Sequence, residues 1–595
     1  MKNIYLLSLL ILFQFIDADD LLVYTSSGIV QGYKDGKIII WEDIPYAKPP
    51  VGNLRWKAPK KLYDETNIIK PKTNNFCIQR TSSFGGSSDF SDELISGSED
   101  CLYLDIFKPA KKNKLNLPVM VWIHGGGNTS GLKDIYDFSK LVKRHNVIIV
   151  RINYRLGPFG WFTHPAIQDF QKGIDKTSNF GTLDIISSLE WIKDNIGHFG
   201  GDKENVTIFG ESAGGHNVLS LLVSSQAEGL FHKAISMSGY TESVSQIDAY
   251  KQENQTFTSN HASWSVVNRI INDRTEKISE EEFSQEEVRE ILLNISGKDF
   301  YEYYYDRKNF EEIPLLTNDG IVIPRIGLKD ALSKKELVNN VPTIAGSNRD
   351  EVKFWLAFSK YFVDIDNSIG SSIFKIPKIM LKDENAYEAF NFYRSSAWKV
   401  RGVNEPLNFL ALTGNKNLFS YRFDWDDQRK LLIADFSKLI GASHALEIPL
   451  LAGDATLVGG SPVSNFIYPK GLSKFFTSRN MMLLWTNFAK NGDPGLSTNN
   501  VRWEPYNSTS QSFLIIDNKK NLKMSDGKTS LKTLTEELYK DSRLNKLEKC
   551  VVLYQMFTFV GNDEYDKHIK NYQGKCDRKI SEKFIVDNAS SIDYE

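Results

Sequence analysis

Cysteine and histidine are scarce in this chain, with four and nine copies among 595 residues. The cysteines stand at 77, 101, 550 and 576, and neither local spacing suggests a metal site. A surplus of charge is also missing. Lys and Arg number 72 against 74 Asp and Glu, a formal charge of −2. No global field therefore points to nucleic acid, an anionic membrane or a highly charged ligand. Beyond the first twenty residues no stretch approaches eighteen consecutive apolar residues, so no membrane span is expected. Internal repeats and low-complexity linkers are absent too, which leaves one large globular unit as the simplest organisation.

The N-terminus reads as an export signal. Met1-Lys2 is followed by a nearly apolar run from Ile4 to Ile16 and then Asp17-Ala18-Asp19-Asp20, which predicts residues 1–18 to be a cleaved signal peptide and the protein to be secreted. In an exported chain four cysteines form two disulfides. Three pairings exist, and Cys77 with Cys101 and Cys550 with Cys576 are the local choice, each closing a loop of about 25 residues worth roughly 3 kcal/mol. Sequons begin at Asn128, Asn205, Asn254, Asn294, Asn507 and Asn588. Asn128 and Asn205 fall in expected core segments and are discounted as glycosylation sites.

From Leu21 to Tyr33 the alternation around Ser26-Ser27-Gly28 predicts a hairpin. Pro118–Ile123 and Val147–Asn153 are continuous apolar runs of strand length, as expected for strands buried on both faces. Ile185, Leu189, Ile192 and Ile196 recur at helical spacing. Further strands are expected at Lys233–Gly239, Val341–Gly346, Leu418–Phe423 and Ser512–Ile516, with a helix from Ser478 to Lys490. Strands alternating with helices predict an α/β class with a large, mostly parallel sheet covered on both faces. The polar stretch from Gln246 to Tyr305 reads as a helical insertion over the sheet's C-terminal edge. Residues 19–546 are taken as the main domain, and 547–595 as a charged, disulfide-tethered tail with no core of its own.

Four stretches carry chemistry. Gly210-Glu211-Ser212-Ala213-Gly214 follows the apolar strand Val206–Phe209 and precedes a helix-forming segment, the setting in which a sharp turn exposes a serine hydroxyl. His124-Gly125-Gly126-Gly127 follows another strand, and its unshielded backbone amides suit a developing oxyanion. The expected donors are the amides of Gly126, Gly127 and Ala213. A serine also needs a base held by a third group. Among the nine histidines, His444 lies in the small-residue loop Ile440–Pro449, whereas His216 sits inside the helix after Ser212 and would point along it. For the acid, Asp350 and Glu351 both qualify, since both follow a strand. The chain order serine, acid, histidine is that of α/β hydrolases.

With these motifs the chain resembles the type-B carboxylesterase and cholinesterase family of α/β hydrolases, from about Gly28 to Tyr506. The likeness rests on Ser98–Asp105, His124–Gly127, Asn153–Arg155, Gly181–Asp184, Phe199–Asp202, Phe209–Gly215, Gly346–Glu351 and Gly441–His444. The resemblance implies an α/β-hydrolase fold, a nucleophile at Ser212, an acid at Glu351 and a base at His444. It also implies ion pairs Arg55–Glu99 and Arg155–Asp184 and a disulfide Cys77–Cys101, with no metal or organic cofactor. Two departures matter. Val352 replaces a frequent Gly after the acid, and the loop Ile78–Asp100 holds Phe84 and Phe90 but no Trp for a cation–π platform. The expectation is a secreted hydrolase of uncharged apolar esters, with Phe354, Trp355 and Phe358 lining its gorge. The alternative is a non-catalytic adhesion protein like the neuroligins, and the chain retains all three triad residues against it.

Overall fold

The computed structural model describes residues 21–588 except 65, 73–74, 83–93, 112–115, 252–261, 275–282, 305–312, 314, 367–377, 432–433, 455–463, 571 and 573. The signal segment, Phe84, Phe90 and Asn254 lie outside the described residues.

The apolar runs become the strands of an 11-stranded sheet. In chain order these are β1 (Tyr33–Asp35), β2 (Ile38–Pro45), β3 (Tyr103–Pro109), β4 (Leu117–Ile123), β5 (Ile148–Ile152), β6 (Gly201–Glu211), β7 (Lys233–Met237), β8 (Thr343–Asn348), β9 (Leu418–Phe423), β10 (Phe513–Ile516) and β11 (Lys523–Ser525). Their spatial order is 11-10-9-8-7-6-4-5-3-2-1. Strands β5 to β10 and β4 pair in parallel, and antiparallel strands close both edges.

Alternation along each strand explains the two-sided burial. Val119, Val121 and Ile123 enter one hydrophobic cluster, while Met120 and Trp122 enter the cluster on the opposite face. Helix α1 (Phe180–Asn195) covers the first face, and α2 (Ala213–Leu222) leaves the end of β6. The central strands all end at the edge where the chemistry-bearing loops begin.

The expected insertion contains α3 (Gln246–Lys251), α4 (Ser263–Arg274), α5 (Gln285–Asn294) and α6 (Gly297–Glu302). Val267, Ile271, Val288, Leu292 and Phe300 form its own cluster with Trp56 and Phe162. Arg55 ties this unit down, holding Glu99 at 2.6 Å and donating to the carbonyls of Leu292 and Ile295 at 2.9 Å. Arg155 grips Asp184 through Nε and Nη2, both at 2.7 Å. Both disulfides are formed, Cys77–Cys101 and Cys550–Cys576.

The C-terminal part differs from the charged tail expected of it. Helices α7 (Glu384–Trp398), α8 (Glu405–Leu412), α9 (Leu472–Asn491), α10 (Leu531–Lys540), α11 (Lys546–Thr558) and α12 (Arg578–Asp587) complete the fold. Val551, Val552, Leu553, Met556 and Phe557 of α11 share a cluster with Tyr387, Phe390 and Ala397 of α7 and Leu534 and Leu538 of α10. A dense apolar run between charged flanks makes α11 a core helix, and a boundary at 546 cuts through a packed unit.

Between α7 and α8 the chain widens into a π-helical turn, Lys399–Asn404. Buried Lys399 donates to Asn404 Oδ1 at 3.1 Å and lies over the Phe513 ring at 4.4 Å. Burial, with Arg422 nearby, pushes its pKa from 10.5 down to about 7. Below that value the ammonium is charged in both states, and the folded state bears the full desolvation cost. As the pH rises the folded state loses its proton first, so the cost shrinks and is gone once the unfolded chain also deprotonates. Lys399→Met is therefore expected to raise stability by a few kcal/mol below neutral pH, the gain fading toward alkaline pH. Urea unfolding across the pH range checks this, and a pH-independent gap would contradict it.

Candidate active site

Strand β6 delivers Ser212 to a turn whose backbone is forced into φ 58°, ψ −122°. A non-glycine residue at positive φ is strained, and here the turn's own closeness imposes it. A Cβ on Gly210 would sit 2.6 Å from Ile123 O, and one on Gly214 would sit 2.1 Å from the same atom. Both flanking glycines are thus required for strand β4 and helix α2 to pass. Gly214→Ala is expected to cost about 1–3 kcal/mol through overpacking, read as a lowered urea midpoint, and an unchanged midpoint would contradict the turn geometry. Ser212 itself is half-buried and donates no hydrogen bond among the described residues.

The glycine loop after β4 lies beside this turn. A Cβ on Gly125 would come within 3.2 Å of Ser212 Cβ. Gly126 and Gly127 both hold positive φ, 99° and 64°. Their amides and that of Ala213 donate to no acceptor among the described residues. His124 anchors the loop from behind: its ring stacks on Tyr154 at 4.4 Å, and Tyr154 Oη donates to His124 O at 2.7 Å. Burial pushes the His124 pKa down to about 4, so it stays neutral.

The loops after β8 and β9 bring acid and base together. His444 Nδ1 lies 2.7 Å from Glu351 Oε2. The other oxygen of Glu351 accepts from Ser238 Oγ and from the Asn348 amide, both at 2.7 Å. Glu351 is fully buried and His444 is 6 % exposed. Asp350, the rival acid, is turned away and engaged with Arg349, Asn391 and the Ala442 amide. Val352 sits in ordinary helical backbone, φ −81°, so glycine is not needed there. His216 points away as expected, its Nδ1 2.9 Å from Tyr240 O.

The structure does not hydrogen-bond His444 to Ser212. The imidazole Nε2 lies 3.2 Å from Glu211 Oε1, without hydrogen-bond alignment, against the residue that precedes the serine. Glu211 is buried, and that burial together with the charge of Glu351 holds its carboxyl well above the usual range. Glu447, fixed by Asn348 Nδ2 at 2.6 Å, is raised in the same way by burial and then by Glu211 and Glu351. Both carboxyls are biased toward the neutral form, and the carboxylate hydrogen-bonded to the ring is that of Glu351.

Aromatic rings close the other side of the imidazole. Trp398, Trp355 and Phe354 have ring centres 4.8, 5.1 and 6.4 Å from His444. Phe559, at the C-terminus of α11, packs on Trp398 at 5.5 Å and on Trp355 at 5.4 Å. Trp355 and Phe358 are 38 % and 44 % exposed, so they form a rim and not a core. A separate cavity of about 360 Å³ holds none of these residues, and its Lys329 is already paired with Glu405 and Glu564.

A model described as the carboxylesterase family matches residues 19–401 and 382–535. The chain belongs to the carboxylesterase family. It is 30 % identical over 514 residues to the para-nitrobenzyl esterase of Bacillus subtilis, covering 83 % of this chain and 94 % of that one. Carboxylesterase 1E of Rattus norvegicus is 31 % identical over 485 residues, covering 77 % and 82 %. A solved PNB esterase structure superposes with a TM-score of 0.63 at 25 % identity, over 86 % of this chain and 99 % of that one. The protein is a carboxylic ester hydrolase with the α/β-hydrolase fold.

Several residues of this carboxylesterase site escaped sequence reasoning. Glu211 stood unremarked inside the GxSxG motif, whereas Glu447 was visible as a carboxylate three residues after His444. Ser238, Trp398 and Phe559 gave no local signal, because only the folded chain places them.

Proposed function

We propose that the carboxylesterase hydrolyses esters through an acyl-enzyme on Ser212, with His444 as base and Glu351 orienting it. The 2.7 Å contact between His444 Nδ1 and Glu351 Oε2 carries this reading. It commits the Nδ1 proton to the carboxylate and leaves Nε2 as the basic atom at the serine turn. His444 removes the Ser212 proton as Oγ attacks the ester carbonyl. The oxyanion is held by the amides of Gly126, Gly127 and Ala213, which donate to no acceptor among the described residues and belong to the loop and turn that meet at Ser212. The imidazolium then protonates the departing alcohol, and water repeats the sequence on the acyl-enzyme.

The substrates we propose have apolar bodies and no choline head group. The aromatic rim around His444 suits them, and the chain holds no Trp between Ile78 and Asp100. Export through the segment 1–18 is supported by two disulfides, which persist in oxidising compartments. Among the described residues no helix is long and apolar enough to cross a membrane. Asn294 and Asn507 are exposed and are the sequons we propose for glycosylation, whereas Asn128 is buried. Treatment with diisopropyl fluorophosphate tests the mechanism. One phosphoryl adduct on Ser212 and loss of p-nitrophenyl ester hydrolysis are expected, and an unreactive serine would favour an adhesion role instead.

A further inference from the structure

Five arginines are buried among the described residues, and four have partners. Arg55 holds Glu99, Arg151 holds Asp105, Arg155 holds Asp184, and Arg401 donates to the carbonyls of Met556, Phe559 and Asn562. Arg394, 7 % exposed, has no such partner. Its Nε is sealed from solvent without an acceptor, and neither terminal nitrogen makes a hydrogen bond or ion pair among the described residues. A buried charge left uncompensated is destabilising. The guanidinium lies over the Phe559 ring, its Cζ 5.2 Å from the centroid. That cation–π contact occupies the face of the group and leaves its N–H edge without an acceptor.

The position of Arg394 connects it to the reaction. It precedes Trp398 by one turn on α7, so the two project from the same helix face. Trp398 touches the His444 ring, and Phe559 bridges Trp398 to Arg394. A continuous aromatic wall therefore runs from the candidate base to a cation that has no ion-pair partner among the described residues. Val560, the β-branched residue that follows Phe559, stands at φ +66°, a strained backbone.

Resting on the esterase reading above, we propose that Arg394 receives a carboxylate at the far end of the substrate. The preferred substrates would then be esters whose apolar body ends in one negative charge, such as monoesters of medium-length dicarboxylic acids. A planar guanidinium edge matches a carboxylate with two parallel hydrogen bonds. A single cation with no charged neighbour among the described residues balances one negative charge and not the two of a phosphate monoester. Burial alone pushes the Arg394 pKa down to about 9, which keeps it cationic at neutral pH.

The test compares the p-nitrophenyl monoester of suberic acid with its ω-methyl ester. In the wild-type protein the free acid is expected to have the higher kcat/KM, and monomethyl suberate is expected to inhibit hydrolysis of the capped ester competitively. Arg394→Met removes the charge while keeping an unbranched apolar side chain on α7, and is expected to lower kcat/KM for the free acid by about 10- to 100-fold. The capped ester, nearly unchanged, reports that the variant is folded, and Arg394→Lys should recover part of the preference. A wild-type protein that turns over the capped ester as fast as the free acid, without inhibition by monomethyl suberate, overturns the inference while leaving the esterase reading intact. Hydrolysis of neither ester overturns both.

Discussion

Replacing Ser212 by alanine is expected to lower kcat for p-nitrophenyl esters by about 10⁶-fold, with the fold intact. The magnitude follows from the division of labour in the site. Without Oγ no acyl-enzyme forms, and the Glu351–His444 pair has nothing to deprotonate except water. The residual rate belongs to the Gly126, Gly127 and Ala213 amides, which still polarise a bound carbonyl. Alanine also suits the turn sterically, since it keeps the Cβ already accommodated at φ 58°. Active-site kinetics with a urea unfolding curve check the prediction. A variant that retains wild-type turnover would remove Ser212 from the mechanism altogether.

Glu351→Gln is expected to lower kcat by about 10⁴-fold while changing stability far less. The carboxylate is asymmetrically used. Oε1 accepts from the Asn348 amide and Ser238 Oγ, and Oε2 faces His444 Nδ1. A glutamine must keep its carbonyl oxygen on the Asn348 side, because a backbone N–H can only donate. Its NH₂ is then driven toward Nδ1 and donates there, which moves the imidazole proton to Nε2. The base is left facing Ser212 with the wrong tautomer. Steady-state kinetics supply the main readout, and NMR of the His444 ring nitrogens reports the tautomer directly. Near-normal turnover with an inverted tautomer would show that Glu351 acts only as a structural anchor.

The central sheet was legible because its signal is local. Runs such as Pro118–Ile123 are apolar at every position, and burial on both faces is the only arrangement that hides them. The serine turn was legible for a steric reason, since Gly210 and Gly214 are demanded by contacts with the neighbouring strand end. What the sequence left open was choice among equivalent groups. Asp350 and Glu351 are adjacent and chemically alike, and only the pairing of Asp350 with Arg349 and Asn391 separates them. The aromatic wall was hidden for a different reason. Trp398 and Phe559 come from helices far apart in the chain, and no periodicity or spacing links them to His444. The charged flanks of α11 likewise concealed a core helix, which is why residues beyond 546 read as a tail.

Chains are made from the N-terminus, so Ser212, Glu351 and His444 leave the ribosome well before Phe559. Phe559 lies inside the loop that the Cys550–Cys576 disulfide closes, with a sequence separation of 26, so the last-made part of the aromatic wall is also the part where a covalent tie is added to apolar packing.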